Sequence, residues 1–274
     1  MMKNQISSTR KMAESGIMIA IAIVLSVMPL FEMPYGGSIT ACSALPLLII
    51  AYRHGWGWGI FSGVVYGLVQ MFLGMKNVLY FTTPLSIIAV ILLDYLVAFA
   101  VLGLGGIFRK ISKTQSAAFG WGALLVGVLR YLCHVIAGCT VWAGLSIPTA
   151  GAFVYSLAYN ATYMIPETLI TVMGAVYVSR YLDFSGIDLR RRTLATTAKN
   201  TAYYCSLAGY TALLVAAIWD VILVFSKLQD AESGEFLLQG LSQVNWLTFG
   251  IVSACGVGIF LITRLLAKKI KENN

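Results

Sequence analysis

Eight apolar segments follow one another along the chain, separated by short polar breaks, near residues 13–31, 38–52, 56–75, 81–107, 117–145, 150–179, 202–226 and 244–266. A membrane-crossing helix needs about 20 mostly apolar residues, because that length at a rise of about 1.5 Å per residue crosses a hydrocarbon layer of about 30 Å. The second segment is the shortest. Only 11% of the 274 residues are charged, against about 25% in an ordinary soluble domain, so a water-soluble globule is excluded. The fold expected is all-α: a polytopic membrane helical bundle whose core lies in the lipid bilayer.

The breaks carry turn chemistry. Pro34 precedes Gly36 and Gly37, Arg53-His54-Gly55 and Lys76-Asn77 punctuate the next two, and Asp230, Glu232 and Glu235 mark an acidic connection near the end. Basic residues fall in alternate breaks: Lys3, Arg10 and Lys11; Arg53; Arg109, Lys110 and Lys113; Arg180, Arg190, Arg191, Arg192 and Lys199; Arg264, Lys268, Lys269 and Lys271. Because positive loops are retained in the cytoplasm, both termini are expected to be cytoplasmic in a multi-pass protein of the cell membrane. The formal net charge of +8 does not imply nucleic acid, since the charge lies between spans and not on a water-exposed reading face.

No A-x-A-like cleavage site follows the first apolar run, which is therefore expected to remain as a span. Five cysteines are scattered through apolar segments without CxxC spacing and read as small apolar residues, with no metal ligands among them. The longest cytoplasmic connection, with its Arg190-Arg191-Arg192 run, divides the chain into a six-span core over 1–185, a basic linker over 186–200 and a two-span hairpin over 201–274. The linker has the composition of a segment lying on anionic headgroups.

Ionisable groups inside lipid are costly enough that each is a functional candidate. Asp94 lies mid-span, Arg130 and His134 in the fifth span, and Glu167 in the sixth, just after Pro166. Arg130, His134, Gly138 and Trp142 recur every four residues, a spacing that advances only about 40° per step and makes one slowly winding stripe. Tyr155, Tyr159 and Tyr163 repeat the spacing beside Asn160, an amide that both donates and accepts. Together these residues suggest a polar and aromatic cavity suited to a flat cationic heteroaromatic ligand. The alternative readings are an Asp94–Arg130 ion pair holding the bundle together, with Trp142 and the tyrosines in the interfacial belt. Asp220 is read as solvated near the outer surface.

Four pieces carry a family resemblance: Pro46-Leu-Leu-Ile-Ile-Ala-Tyr-Arg-His-Gly; Leu92-Leu-Asp-Tyr-Leu-Val-Ala; Arg130-Tyr-Leu-Cys-His-Val-Ile-Ala-Gly with Trp142; and Tyr155-Ser-Leu-Ala-Tyr-Asn160. In this order and spacing, over about residues 10–182, the chain resembles the thiamine-specific substrate-binding components (S-components) of energy-coupling-factor (ECF) transporters. The resemblance implies a six-helix core that binds thiamine. Asp94 would face the thiazolium ring, with Tyr95 beside it, and His134 and Asn160 would hydrogen-bond the aminopyrimidine. Trp142 and Tyr155 would stack on the ligand, Gly138 would keep the pocket open, and Arg130 occupies a position where relatives can carry lysine. The family can place a lid tryptophan in the first outward loop, where this chain has Tyr35.

The resemblance also implies docking of the first span on an ECF transmembrane coupling protein driven by two ATPase subunits, for which Gly16 and Ala20 offer a small-xxx-small surface. Packing inside the bundle is the other use of such spacing. No GxxxxGK[ST] phosphate loop occurs in the chain, so ATP-driven transport would borrow its motor. No cofactor, metal or catalytic residue is expected. An autonomous proton-coupled thiamine carrier is the competing transport reading, with Asp94, His134 or Glu167 relaying protons. An intramembrane enzyme is the reading from another class, and it lacks HExxH and GxSxG motifs.

Overall fold

A computed structural model describes residues 6–33, 36–143, 149, 151–192, 197–228 and 238–272. Eight main helices correspond to the eight apolar segments: α1 (Ser8–Ser26), α2 (Leu45–His54), α3 (Trp56–Leu73), α4 (Pro84–Ile111), α5 (Gln115–Thr140), α6 (Ala152–Tyr181), α7 (Thr197–Leu228) and α8 (Trp246–Glu272). Among the described residues, six helices are long and apolar enough to cross a membrane, from α3 onward. The other two differ from the expected full-length spans for separate reasons. The first two turns of α1 carry Arg10, Lys11 and Glu14, while α2 has ten residues and so reaches only about 15 Å.

Side-chain caps set several of the helix starts. Ser7 accepts a hydrogen bond from the amide of Arg10, Thr83 from that of Ser86 ahead of Pro84, and Thr114 from that of Ala117, each satisfying one otherwise orphaned donor. Between α1 and α2 the chain forms a small hairpin, β1 (Phe31–Glu32) with β2 (Ser38–Ile39), paired Phe31 to Ile39 and Glu32 to Ser38. Gly36 and Gly37, with φ of 96° and 95°, return the chain through a region that side chains rarely adopt.

The chain divides into two compact units, residues 1–172 and 173–274. In the first, Arg53 is buried and grips Glu14 of α1 with two nitrogens, Nε and Nη2, at 2.9 and 3.0 Å. The same carboxylate receives Arg10 at 2.9 Å. This ties α1 to the end of α2. Three glycines at every fourth position of α3 let α4 approach to backbone distance. A Cβ on Gly59 would lie 2.8 Å from Cα of Gly103, one on Gly63 only 2.3 Å from the Phe99 carbonyl, and one on Gly67 2.7 Å from that of Tyr95.

Helix α4 is irregular where it meets this row. Residues Ile91–Val97 are π-helical and Val101–Ile107 form 3-10 turns. Its centre therefore departs from α-helical pitch at the turn that carries Asp94, a kind of bulge found often at functional sites.

In the second unit α7 and α8 form an antiparallel helical hairpin, with a short 3-10 turn at Leu238–Gln243 before α8. A two-residue pairing, β3 (Leu182–Asp183) with β4 (Arg190–Arg191), follows α6. Asp220 corrects the sequence reading: it is buried, at 8% exposure, and accepts a hydrogen bond from the Ser253 hydroxyl of α8 at 2.6 Å. The Ser253 hydroxyl replaces solvent at Oδ2, while Oδ1 is buried with no hydrogen-bond partner among the described residues.

Candidate ligand-binding site

The first unit encloses a cavity of about 440 Å³, within the range that holds small organic ligands. Its wall is assembled from elements far apart in sequence: the end of α1 and the β1–β2 hairpin, α3, the π-helical turn of α4, α5 and its exit, and α6. Asp94 sits on that wall with both carboxylate oxygens engaged. Oδ1 lies 2.9 Å from Nδ1 of His134, and Oδ2 accepts from the indole Nε1 of Trp142 at 2.8 Å. A carboxylate offers about four lone-pair positions, so this arrangement orients the group without saturating it.

The indole is fixed in turn. Trp142 is buried at 8% exposure and packs edge-on to Phe81, with ring centroids 4.7 Å apart, in a cluster with Val78, Val90 and Ala137. It is not an interfacial-belt tryptophan. Tyr95, one residue beyond Asp94, donates its hydroxyl to the Gly74 carbonyl at 3.1 Å, tying α4 to the end of α3. Gly138, the next position along the His134 stripe, lines the cavity without adding a side chain.

Arg130 lines the same cavity but does not pair with Asp94. Its guanidinium carbon stands 5.0 Å from the centroid of the Phe99 ring, and its Nε has no hydrogen-bond partner among the described residues. The Asp94–Arg130 ion pair considered from sequence is thus replaced by Asp94–His134 and an arginine stacked on an aromatic face. The reason is rotational: Arg130 and His134 differ by about 40° around α5, and the π-helical turn presents Asp94 to the second.

Asn160 is buried and heavily engaged. Its amide nitrogen donates to the Ser156 carbonyl at 2.9 Å and to the carbonyl of His134 at 3.3 Å, and its Oδ1 accepts from the Tyr163 hydroxyl at 2.6 Å. It links α6 to the backbone carrying His134. Tyr159 and Tyr163 face the cavity, whereas Tyr155 does not line it: that ring is 43% exposed and stacks on Tyr159 at 6.4 Å. The stripe drifts by about 40° per step, so its first member has turned away. Of the eight candidate ligand residues, the structure brings seven together, and Tyr155 touches the site through its neighbour.

Several lining residues were not singled out from sequence. Glu32 and Lys76 form an exposed pair at 3.2 Å, and Tyr66, Gln70, Asn77 and Phe99 add to the wall. Gln70 carried a signal, since an amide in an apolar span seeks a partner; it donates to Ser26 at 2.6 Å. Glu167, the ionisable group of the sixth span, is buried and accepts from the backbone N–H and the hydroxyl of Thr40 at 2.5 and 2.9 Å. It anchors the strand that leaves the hairpin. Tyr35, the lid candidate, lies outside the described residues. Gly16 and Ala20 are exposed on α1, and no described atom outside its own helix lies within 4 Å of a Cβ built on Gly16.

A helical bundle with six membrane-length helices and a ligand-sized cavity lined by aromatic rings and a fixed carboxylate defines a multi-pass membrane protein with a small-molecule site. Comparison with known proteins gives the particular family. The thiamine transporter protein family matches residues 12–182, and the chain belongs to that family. Thiamine transporter ThiT of Bacillus subtilis (strain 168) is 33% identical over 178 residues, which cover 61% of this chain and 88% of that protein. The solved structure of ThiT from Listeria monocytogenes superposes with a TM-score of 0.51 at 27% identity, covering 62% of this chain and 93% of that one. The family and the relative are both named as thiamine transporters, not as enzymes. The matched region stops short of α7 and α8.

Proposed function

We propose that this protein captures thiamine from the outer side of the membrane in the cavity around Asp94 and hands it across by docking on a shared ECF module of one transmembrane coupling protein and two ATPase subunits. The observation that carries the binding reading is the carboxylate of Asp94, held between His134 and Trp142 on the cavity wall. In a low-dielectric site such a group attracts the thiazolium cation far more strongly than it would in water. Trp142, Tyr159 and Tyr163 offer aromatic faces for the rings. His134 and Asn160 supply polar atoms for the aminopyrimidine, and Arg130 and Tyr95 complete the wall. Tyr155 contributes by supporting Tyr159. The open face of α1 at Gly16 and Ala20 supports docking there, since small residues allow close helix approach. Residues 1–185 are the binding core, 186–200 a basic linker, and both termini are cytoplasmic, in keeping with the distribution of basic residues.

Calorimetric titration of the purified protein with thiamine tests the binding reading: saturable binding supports it, and none at micromolar thiamine defeats it. The carrier reading draws on one observation, the Asp94–His134 contact of 2.9 Å, which is a proton-relay geometry. Proteoliposomes containing this chain alone separate the two. Thiamine accumulation driven by a pH gradient without partner subunits favours the carrier, while binding without transport favours the ECF subunit.

A further inference from the structure

Three arginines of the second unit pack against aromatic side chains. Arg180, in the last turn of α6, lays its guanidinium over the ring of Tyr210 from α7, 4.3 Å from the centroid. The hydroxyl of the same tyrosine accepts from Nη1 of Arg264 on α8 at 3.1 Å. Tyr210 is therefore shared by two arginines from two other helices. Tyr203, two turns earlier on α7, donates its hydroxyl to the Arg180 carbonyl. Arg191, on the β4 strand, stacks over Tyr181 at 4.8 Å and donates to the Tyr204 hydroxyl at 2.8 Å.

Stacking engages the faces of a guanidinium and leaves its in-plane N–H groups free. Arg180 shows this directly: its Nε is buried and has no hydrogen-bond partner among the described residues. An unfilled buried donor is costly. Arg192 and Arg264 both act electrostatically on Arg180; among the described residues no carboxylate is in ion-pair contact with Arg180, Arg191 or Arg264, while Arg192 acts on Asp183. The nearby acids are committed elsewhere. Asp183 accepts from the amide and hydroxyl of Ser185, which hold its carboxyl below the usual range, and Asp188 lies 3.7 Å from Arg190.

We infer that Arg180, Arg264 and the Tyr210 ring between them form a binding site for the phosphate of an anionic glycerophospholipid headgroup. Two guanidinium groups held on the face and the hydroxyl of one tyrosine offer an anion several charge-assisted donors, and the Arg180 Nε beside them is the unfilled one. The surroundings favour a lipid over a free anion. Arg264 lies two residues before the end of the apolar segment near 244–266, with Lys268 and Lys269 in the next turn, so it stands at headgroup level, and the preceding turn exposes Leu261 and Ile262 to acyl chains. Basic pockets between helices at that level bind acidic lipids. Tyrosines flanking the site suit the same interfacial level.

The test is lipid retention by the full-length protein in detergent, read by native mass spectrometry after exchange into phosphatidylglycerol, phosphatidylcholine or inorganic phosphate. Thiamine binding by the same preparations reports that the protein is folded. The site predicts retention of phosphatidylglycerol over phosphatidylcholine by at least about tenfold, its loss in the Arg180→Gln/Arg264→Gln double variant, and no change in Arg190→Gln. Equal retention of the two lipids, or undiminished retention by the double variant, overturns the inference. Displacement of phosphatidylglycerol by inorganic phosphate alone also overturns it, in favour of a free-anion site. If the double variant loses thiamine binding, Arg180→Lys is read instead: it keeps the charge and removes the planar fork, so weakened retention supports the site and unchanged retention overturns it.

Discussion

The Nδ1 atom of His134 lies 2.9 Å from Oδ1 of Asp94, although the two residues are 40 positions apart and sit on different helices. The contact exists because a π-helical turn in α4 presents the carboxylate to the one face of α5 that carries His134. Trp142 takes the second oxygen from beyond the end of α5. One carboxylate thus registers two elements around the cavity, and it is oriented by an imidazole and an indole in place of an arginine.

Replacing Asp94 with asparagine keeps the shape and removes the charge. Thiamine affinity, measured by calorimetry, should fall at least tenfold, about 1.4 kcal/mol. Unchanged affinity would mean that the carboxylate serves only to hold His134 and Trp142.

Trp142→Phe keeps an aromatic face but deletes the indole N–H that Asp94 accepts. Binding should weaken, and the ligand-induced quenching of tryptophan fluorescence should shrink sharply relative to the unsubstituted protein. Full quenching in the variant would assign the signal to another of the six tryptophans.

Glu167→Gln removes the charge that Thr40 meets with two hydrogen bonds. Bonds to charged acceptors exceed neutral ones by about 1 kcal/mol each, so stability should drop by about 1–2 kcal/mol. Because Thr40 leads out of the β1–β2 hairpin on the cavity wall, thiamine dissociation should also quicken in stopped-flow measurements. A variant with unaltered melting and dissociation would show that Glu167 is not the anchor.

Gly63→Ala would place a methyl group 2.3 Å from the Phe99 carbonyl. Backbone must move, at a cost of about 1–3 kcal/mol, and the helix that moves is the one carrying Asp94. Both thermal stability and thiamine affinity should fall. Gly57→Ala, where nothing lies within 4 Å of the added atom, should leave both unchanged.

A chain ending at residue 185 contains the whole segment matched by the thiamine transporter family. It should bind thiamine with the affinity of the full chain. Loss of binding from a folded, monodisperse truncation would give the C-terminal hairpin a part in the site.

Hydrophobic spans, and the pieces that carry the family likeness, are local properties, so they were legible in the sequence: hydropathy over a window of about 20 residues needs no knowledge of neighbours. The candidate residues Asp94, His134, Trp142 and Asn160 could be named because ionisable and amide groups are rare and expensive in apolar helices. Their pairing was not legible. Whether Asp94 meets Arg130 or His134 depends on helix rotation, and that rotation is set by the π-helical turn and by the backbone contact at Gly63 and Gly67, neither of which leaves a distinct mark in hydropathy. The same limit hid the Ser253 partner of Asp220 and the outward turn of Tyr155. By itself the sequence determined that this is a helical membrane protein of the thiamine transporter type, because burial in lipid constrains each segment separately. Only the tertiary structure decided which side chains share the cavity, because hydrogen bonds of about 3 Å depend on how one helix is turned against the next.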